Sequence, residues 1–473
     1  MSGSAQSAAA RRTTLLIVAA AAVMLITTGA RQVSGLFVLP IMSSTGVSIE
    51  SISLALAIGQ FMWGAAQPVF GALADHYGAF RVVTFGALLL AAGSILTAFA
   101  DSPLTLIVTM GVLSAAGAAA GSFSILIGGT ARRLEARQRS TAAGVINGGG
   151  SLGQFVFAPL VQAVIGAWGW AIAMFTLAAS ALLTIPLALP LKSRKQEPAH
   201  EAGASSAATS GASAVEAPER AAGEAGPAGG EAASGASTGR GEATSAARAG
   251  GSVSTTPGAR SAPAGEAAGI TLREQLRIAA RDRNYIFLNL GFFTCGFHVA
   301  FLVTHLPGEI QNCGLSANVA ANSLALIGLF NVAGSVGAGL LGQRYRMKNL
   351  LAFIYASRAA MIAIYLLMPK TALNVYLFAA GMGMTWLATV PPTSGIVGKL
   401  YGVRYLGTLF GLTLVSHQAG AFLGAWLGGV AMAQMQSYQW IWFADMALAL
   451  GAAAINLPIQ EERPLPRPAA VAT

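Results

Sequence analysis

Charged residues are scarce. Asp, Glu, Lys and Arg make up 10% of the 473 residues, against roughly 25% in an ordinary soluble domain. Hydrophobic residues reach 54% and the mean hydropathy is +0.62, which excludes a soluble enzyme and describes a polytopic membrane protein. Cysteine is nearly absent: Cys295 falls in an apolar run and Cys313 in the loop after it, so no disulfide framework is supported. No phosphate-cradling loop, clustered metal-ligand motif or nucleophile constellation occurs. ATP is therefore not the expected energy source, no cofactor is expected, and the chain does not read as an enzyme.

What the chain has in quantity is long apolar runs. About 20 such residues cross roughly 30 Å of hydrocarbon. Runs of that kind fall at 13–40, 50–72, 81–100, 104–129, 141–164 and 168–190, then at 285–308, 319–342, 349–368, 372–395, 405–430 and 438–457. The first has Arg11 and Arg12 before it, as a signal peptide would, but it continues to Ile41 and reads as a retained helix.

The net charge of +10 has a topological explanation. With the N-terminus placed in the cytoplasm, every Lys and Arg except Arg31, Arg358 and Lys370 falls on the cytoplasmic side. Both termini are then cytoplasmic, and nucleic acid is not needed to explain the charge. Residues 197–269 are almost wholly Ala, Gly, Ser, Thr, Glu, Pro and Arg, a composition that cannot bury enough surface to order itself. The division expected is a six-helix bundle over 1–191, a cytoplasmic linker over 192–283 with a short amphipathic helix near 271–283, a second bundle over 284–459, and a tail over 460–473.

The halves repeat each other. Gly29, Arg31 and Pro40 recur as Gly296, His298 and Pro307, and Gly144 and Gly153 recur as Gly411 and Gly420, all at an offset of 267. Gly71-Ala-Leu73-Ala-Asp75 recurs as Gly339-Leu-Leu341-Gly-Gln343 at 268. The fold class is thus an all-α membrane protein of 12 transmembrane helices in two pseudo-repeated halves, an architecture that places a transport site at the midplane between them.

The segment Gly71-Ala-Leu-Ala-Asp75-His-Tyr-Gly78-Ala-Phe-Arg81 resembles the signature between helices 2 and 3 of the major facilitator superfamily. That resemblance implies that Gly71, Asp75, Gly78 and Arg81 stabilise a gate state. Gly29-Ala-Arg31-Gln-Val-Ser34-Gly35-Leu-Phe37-Val-Leu-Pro40 is similar to the first helix of the bacterial monocarboxylate and oxalate/formate porter branch. Members of that branch often carry arginine in helix 8 or lysine in helix 11; here Asn331 and His417 lie in those helices, which speaks against a two-cation dicarboxylate site. The helix-5 Gly-Pro motif of drug/proton antiporters is absent.

A charge in the bilayer core needs a reason. Arg31 has no deep acid in the N-terminal spans to neutralise it, and a fixed guanidinium facing a cavity would hold a substrate carboxylate. Arg358 and Asp445 come to similar depth when counted from opposite ends at 1.5 Å per residue and are expected to form a structural ion pair. That leaves histidine for proton coupling, with His298 and His417 as candidates. Asn147, Gln154, Asn331 and Trp386 would complete the lining, and Gln60, Trp63 and Gln67 share one face of helix 2.

The function expected is a secondary transporter of a small organic anion, a monocarboxylate, with protons a candidate coupling ion and a monomer as the working unit. It would sit in the lipid bilayer of a bacterial inner membrane. The competing expectations are transport or export of a larger aromatic or heterocyclic compound, and a transporter-fold sensor signalling through 197–269.

Overall fold

The computed structural model describes residues 2–131, 133–134, 136–192, 271–402 and 404–461. The segment 197–269, on which the spacer and sensor expectations rest, lies outside the described residues, as do 462–473 of the tail. Among the described residues every regular element is helical. Spans 1 to 6 are Ser2–Gln32, Ile49–Tyr77, Ala79–Thr97, a segmented helix from Pro103 to Ala131, Ala136–Trp168 and Trp170–Leu187. Spans 7 to 9 are Arg283–Asn312, Ala317–Arg344 and Met347–Leu367. Span 10 is Ala372–Thr385 plus Val390–Tyr401, span 11 is Leu406–Met435 and span 12 is Gln439–Asn456. Among the described residues eleven helices are long and apolar enough to cross a membrane. Span 12, which carries Asp445, is less apolar and packs mainly on span 9 and span 7.

Local sequence sets the ends. Ser48, Ser316 and Thr371 cap their helices by accepting from Ser51, Val319 and Asn374 N–H groups, which would otherwise be unpaired in the first turn. Ser102 and Thr105 form a reciprocal capping box. Gly78 turns span 2 into span 3 at φ +88°, ψ 145°, a conformation open essentially to glycine alone.

The packing reproduces the internal repeat. Span 1 lies on span 5 as span 7 lies on span 11, and span 3 on span 6 as span 9 on span 12. Between the halves, span 2 meets span 11 and span 8 meets span 5, which is the pairing a two-fold relation requires. The repeated glycines explain two of these contacts. A methyl group on Gly29 would lie 2.9 Å from the Gly153 carbonyl, and one on Gly296 would collide with that of His417. Helix backbones approach that closely only over small residues.

The halves do not meet along their whole length. We call the end holding the 2–3 turn the near end and the other the far end. At the far end Gly429 of span 11 sits against Ser53 and Ile49 of span 2, and Gly35, in the turn that follows span 1, against Val303 and Thr304 of span 7. Midway, Gly64 touches Gln418, and Gly328 touches Ser151 and Gln154. Two turns nearer on the same faces, Gly71, Gly411 and Gly144 have no neighbour within 4 Å of an added methyl group. The bundle is therefore sealed from its middle to its far end and cleft at its near end.

The described part of the C-terminal segment is clasped to the bundle. Glu461 accepts from the Lys348 N–H at 2.7 Å and from the Lys399 Nζ at 2.8 Å, and Lys348 Nζ donates to the Leu457 carbonyl. Glu461 is 8% exposed while the Lys399 side chain is 42% exposed. Glu461→Ala is expected to cost about 1 kcal/mol, because it removes the acceptor of a partly buried N–H. A fall of a few degrees in the thermal midpoint would register that loss; no fall would mean that the clasp does not hold the fold.

Candidate functional site

Arg31 ends the long helix of span 1. The chain then makes a 3-10 turn, Ser34–Phe37, before resuming as Val38–Thr45, so the expected unbroken helix over 13–40 is interrupted just past the arginine. A cation in the last turn of a helix is stabilised by the helix dipole. Its Nη1 donates to Gln60 Oε1 and its guanidinium lies 4.2 Å over the Trp63 ring. The helix-2 face expected from spacing thus holds the arginine, while Gln67, one turn further on, accepts from Ser124. Arg31 Nε is buried without a partner.

The guanidinium borders a partly open cavity lined by spans 1, 2, 3, 4 and 6. Its polar wall is Arg31, Ser34, Gln60, Ser94, Thr97 and Ser114; Phe37, Leu56, Met110 and Met174 supply apolar surface. Ser94, Thr97 and Ser114 escaped the sequence reading. The signal for the first two was present, since residues three apart share a helix face. Ser114 closes a π-helical stretch, Ile107–Ser114, and π turns often occur at functional sites. The cavity lies within the N-terminal half rather than at the interface of the halves.

The C-terminal candidates form a separate, drier cluster. Pro391 and Pro392 have no N–H for the carbonyls of Leu387 and Ala388, and span 10 breaks between Thr385 and Val390. The break frees backbone groups, and three spans bind them. Arg358 Nη2 of span 9 donates to the carbonyls of Thr385 and Trp386, the latter at 2.8 Å. Asn331 Oδ1 of span 8 accepts the Leu387 N–H at 3.1 Å. Cys295 Sγ of span 7 donates to the Trp386 carbonyl at 3.9 Å and lies 3.2 Å from Thr389 Oγ1; neither it nor Cys313 is in a disulfide.

This arrangement corrects the expected Arg358–Asp445 ion pair. Arg358 is taken by the carbonyls that the break exposes, and Asp445 Oδ2 instead meets His298 Nδ1 at 2.6 Å. All three side chains are essentially inaccessible. It also corrects the expectation that His298, the repeat equivalent of Arg31, faces a substrate. Arg31 turns to span 2, whereas His298 turns to span 12 inside its own half. Trp386 is fully buried at the break, 6.4 Å from the His298 ring.

The remaining candidates lie at or beside the interface. Asn331 Nδ2 donates to Ser151 Oγ of the other half at 2.9 Å, and Ser335 donates to Asn331. Gln154, packed against Gly328, is buried with neither amide atom partnered. Asn147, half-buried, lies one turn nearer the cleft than Ser151. His417 is half-buried beside Phe292, ring centroids 4.9 Å apart, next to the Gln418 that reaches Gly64. Of the gate candidates, Asp75 and Arg81 are exposed on either side of the Gly78 turn. Lys370, in the far-end loop, donates to the Tyr365 carbonyl and covers its ring at 3.7 Å. Burial lowers its pKa, and Cys313 and Glu309 oppose that shift.

Residues 16–425 match the sequence profile of the Major Facilitator Superfamily. Monocarboxylate transporter 11 of Homo sapiens is 34% identical over 145 residues, covering 29% of this chain and 30% of that protein. The oxalate:formate antiporter of Oxalobacter formigenes is 28% identical over 130 residues, covering 28% and 30%. The chain thus spans less than a third of either relative's length. Among solved structures, a D-xylose-proton symporter superposes with TM-score 0.65 over 94% of this chain and 97% of that one, at 12% identity. A bacterial homologue of the lysosomal transporter Spinster, inward-facing and unoccupied, gives 0.60 over 95% of each chain, at 14% identity. At such identities the structural likeness speaks to the fold alone.

Proposed function

The chain belongs to the major facilitator superfamily, and from that premise we propose that it carries a monocarboxylate across the membrane by alternating access, with Arg31 holding the carboxylate. The single observation that carries this reading is the state of Arg31. It is an intramembrane cation oriented by a neutral amide and an aromatic face, at a cavity, with no carboxylate within 4 Å among the described residues. Such a charge is costly unless an anion joins it. The bond to Gln60 uses Nη1, which leaves the Nε edge of the planar guanidinium for a carboxylate. The apolar wall around it, with Phe37, Leu56, Met110 and Met174, suits a short carbon chain.

With the near end facing the cytoplasm, the cleft between spans 2 and 11 and spans 5 and 8 is an inward-facing state. The Asp75–Gly78–Arg81 turn then stands at the cleft's rim, where closure would bring it against the other half. Gly35→Val tests this cycle. Its side chain would collide with the Val303 carbonyl and open the far-end seal. Transport is expected to fall about tenfold, the effect of removing about 1.4 kcal/mol from the state so closed; unchanged transport would contradict the sealing role.

The experiment for the anion site is thermal stabilisation of the purified protein by monocarboxylates, dicarboxylates, neutral aromatics and cationic drugs. Stabilisation by monocarboxylates is the expected outcome. Stabilisation by neutral aromatics alone would overturn the substrate reading and leave the family assignment standing.

A further inference from the structure

The cluster around the broken span 10 has no part in holding an anion at Arg31, yet it contains the deepest titratable pair among the described residues. His298 is 1% exposed and Asp445 0%, and they share one hydrogen bond of 2.6 Å. The Nδ1 edge of the imidazole is used by that bond, while its Nε2 and the second carboxylate oxygen are buried with no partner. A pair kept for packing alone would satisfy these atoms or dispense with them, because an unpaired buried polar atom costs stability. An imidazole beside a carboxylate with a bare ring nitrogen is a receptor for one proton.

The other titratable or charged groups around the pair can be named helix by helix. Span 7 contributes Cys295; span 9 contributes Arg358 and Tyr355, the guanidinium 5.4 Å from the tyrosine ring; span 11 contributes His417, which neighbours Cys295. Span 10 offers only the neutral Trp386 and Thr389 and the carbonyls exposed by its break. Arg358, whose Nε and Nη1 are unpartnered, is committed to those carbonyls through Nη2.

A continuous path leads from the pair to the opposite half. The His298 ring lies beside Trp386, the first residue of the break. The next residue, Leu387, donates its N–H to Asn331 Oδ1, and Asn331 Nδ2 donates across the interface to Ser151. That bond lies at the middle of the bundle, where the seal gives way to the cleft. Broken helices of transporters are where irregular backbone meets an ion or substrate.

We propose that the His298–Asp445 pair is a proton-binding site of the transport cycle, set apart from the Arg31 cavity, and that it acts on the interface between the halves through the broken span 10 and Asn331. The step is balanced simply. One proton from bulk solvent joins Nε2, the Nδ1–H stays on Asp445, and the imidazole–carboxylate pair becomes an imidazolium–carboxylate pair. The new positive charge then stands near the carbonyls that Arg358 holds, so it acts on the geometry of the break and hence on Asn331.

The inference deepens the transporter reading without using its substrate, so the two can fail separately. The full chain in lipid nanodiscs is titrated between pH 4.5 and 8.5 while tryptophan emission is followed. An imidazolium quenches a neighbouring indole, so a one-proton change in emission is expected. It should vanish in Trp386→Phe, which assigns it, and in His298→Gln; in Asp445→Asn, which preserves the shape of the site, its midpoint should move. The relay is read with spin labels at Gly71→Cys and Gly411→Cys, whose added side chains would enter the cleft, in a Cys313→Ser background. Acidification should change the distance distribution in the parent chain and leave it unchanged in His298→Gln, and Ser151→Ala should reduce the response severalfold. A titration that survives His298→Gln, or label distances blind to pH in the parent chain, would overturn the proposal. A lack of any monocarboxylate binding would overturn the Arg31 reading and leave this one intact.

Discussion

Replacing Arg31 with glutamine is expected to weaken monocarboxylate binding about 100-fold, roughly 2.7 kcal/mol, while leaving the protein folded. The magnitude follows from what is lost. A charge-assisted pair in a desolvated cavity is worth a few kcal/mol when one partner is truncated, and the neutral amide retains a hydrogen-bonding contact. Folding is spared for a related reason: Arg31 has no carboxylate within 4 Å among the described residues, so its removal strands no acid there. Arg31→Lys should fall between the two. Lysine keeps the charge but loses the planar fork and the stacking over Trp63. Isothermal titration with the monocarboxylate that stabilises the protein most would measure these differences, and equal affinity in Arg31→Gln would remove the arginine from the site.

Gly296→Val is expected to prevent stable folding, at a cost above about 4 kcal/mol. Span 7 packs on span 11 through Gly296, Gly420 and Gly424, and the contact is backbone to backbone. A methyl group at Gly296 would run into the His417 carbonyl, and one at Gly420 into the Phe293 carbonyl. Neither obstacle is a side chain that could swing away, so the helices would have to separate along their length. The contrasting variant is Gly411→Ala on the same span. Its added methyl group meets nothing within 4 Å, and alanine in a helix interior gains about 0.5–1 kcal/mol over glycine. Thermal midpoints and size-exclusion profiles of the two variants would separate these cases. A folded, normally stable Gly296→Val would mean that spans 7 and 11 do not touch as described.

Both glycines belong to the internal repeat, which shows what the sequence could and could not disclose. The offset of 267 linked Gly29 to Gly296 and Gly153 to Gly420, and these are the close contacts of matching helix pairs. The same offset linked Gly144 to Gly411, which face the open cleft. Pattern identifies corresponding positions; only the neighbours say whether a glycine is a contact or a gap. Gln60 and Trp63 were legible as one face of helix 2, but that Arg31 lies against them is known only from the packing.

The Arg358–Asp445 pairing failed because depth is only one coordinate. Counting residues from the helix ends put both at a similar level, but the direction of each side chain depends on packing that the count does not contain. Pro391-Pro392 breaks span 10 without dictating which side chain meets the freed carbonyls. Arg358 meets them, and Asp445 is left to His298. The symmetry between Arg31 and His298 failed similarly, because corresponding helices present corresponding residues to different neighbours.

The measurement that tests the central claim most directly is accelerated exchange in proteoliposomes. Vesicles containing the purified protein are loaded with a monocarboxylate, and uptake of the labelled compound is followed from outside. Saturable uptake that depends on the internal monocarboxylate, and that Arg31→Gln abolishes, is the result predicted here. Monocarboxylate uptake no faster than in protein-free vesicles, with exchange of a neutral aromatic solute that is indifferent to Arg31→Gln, would contradict it.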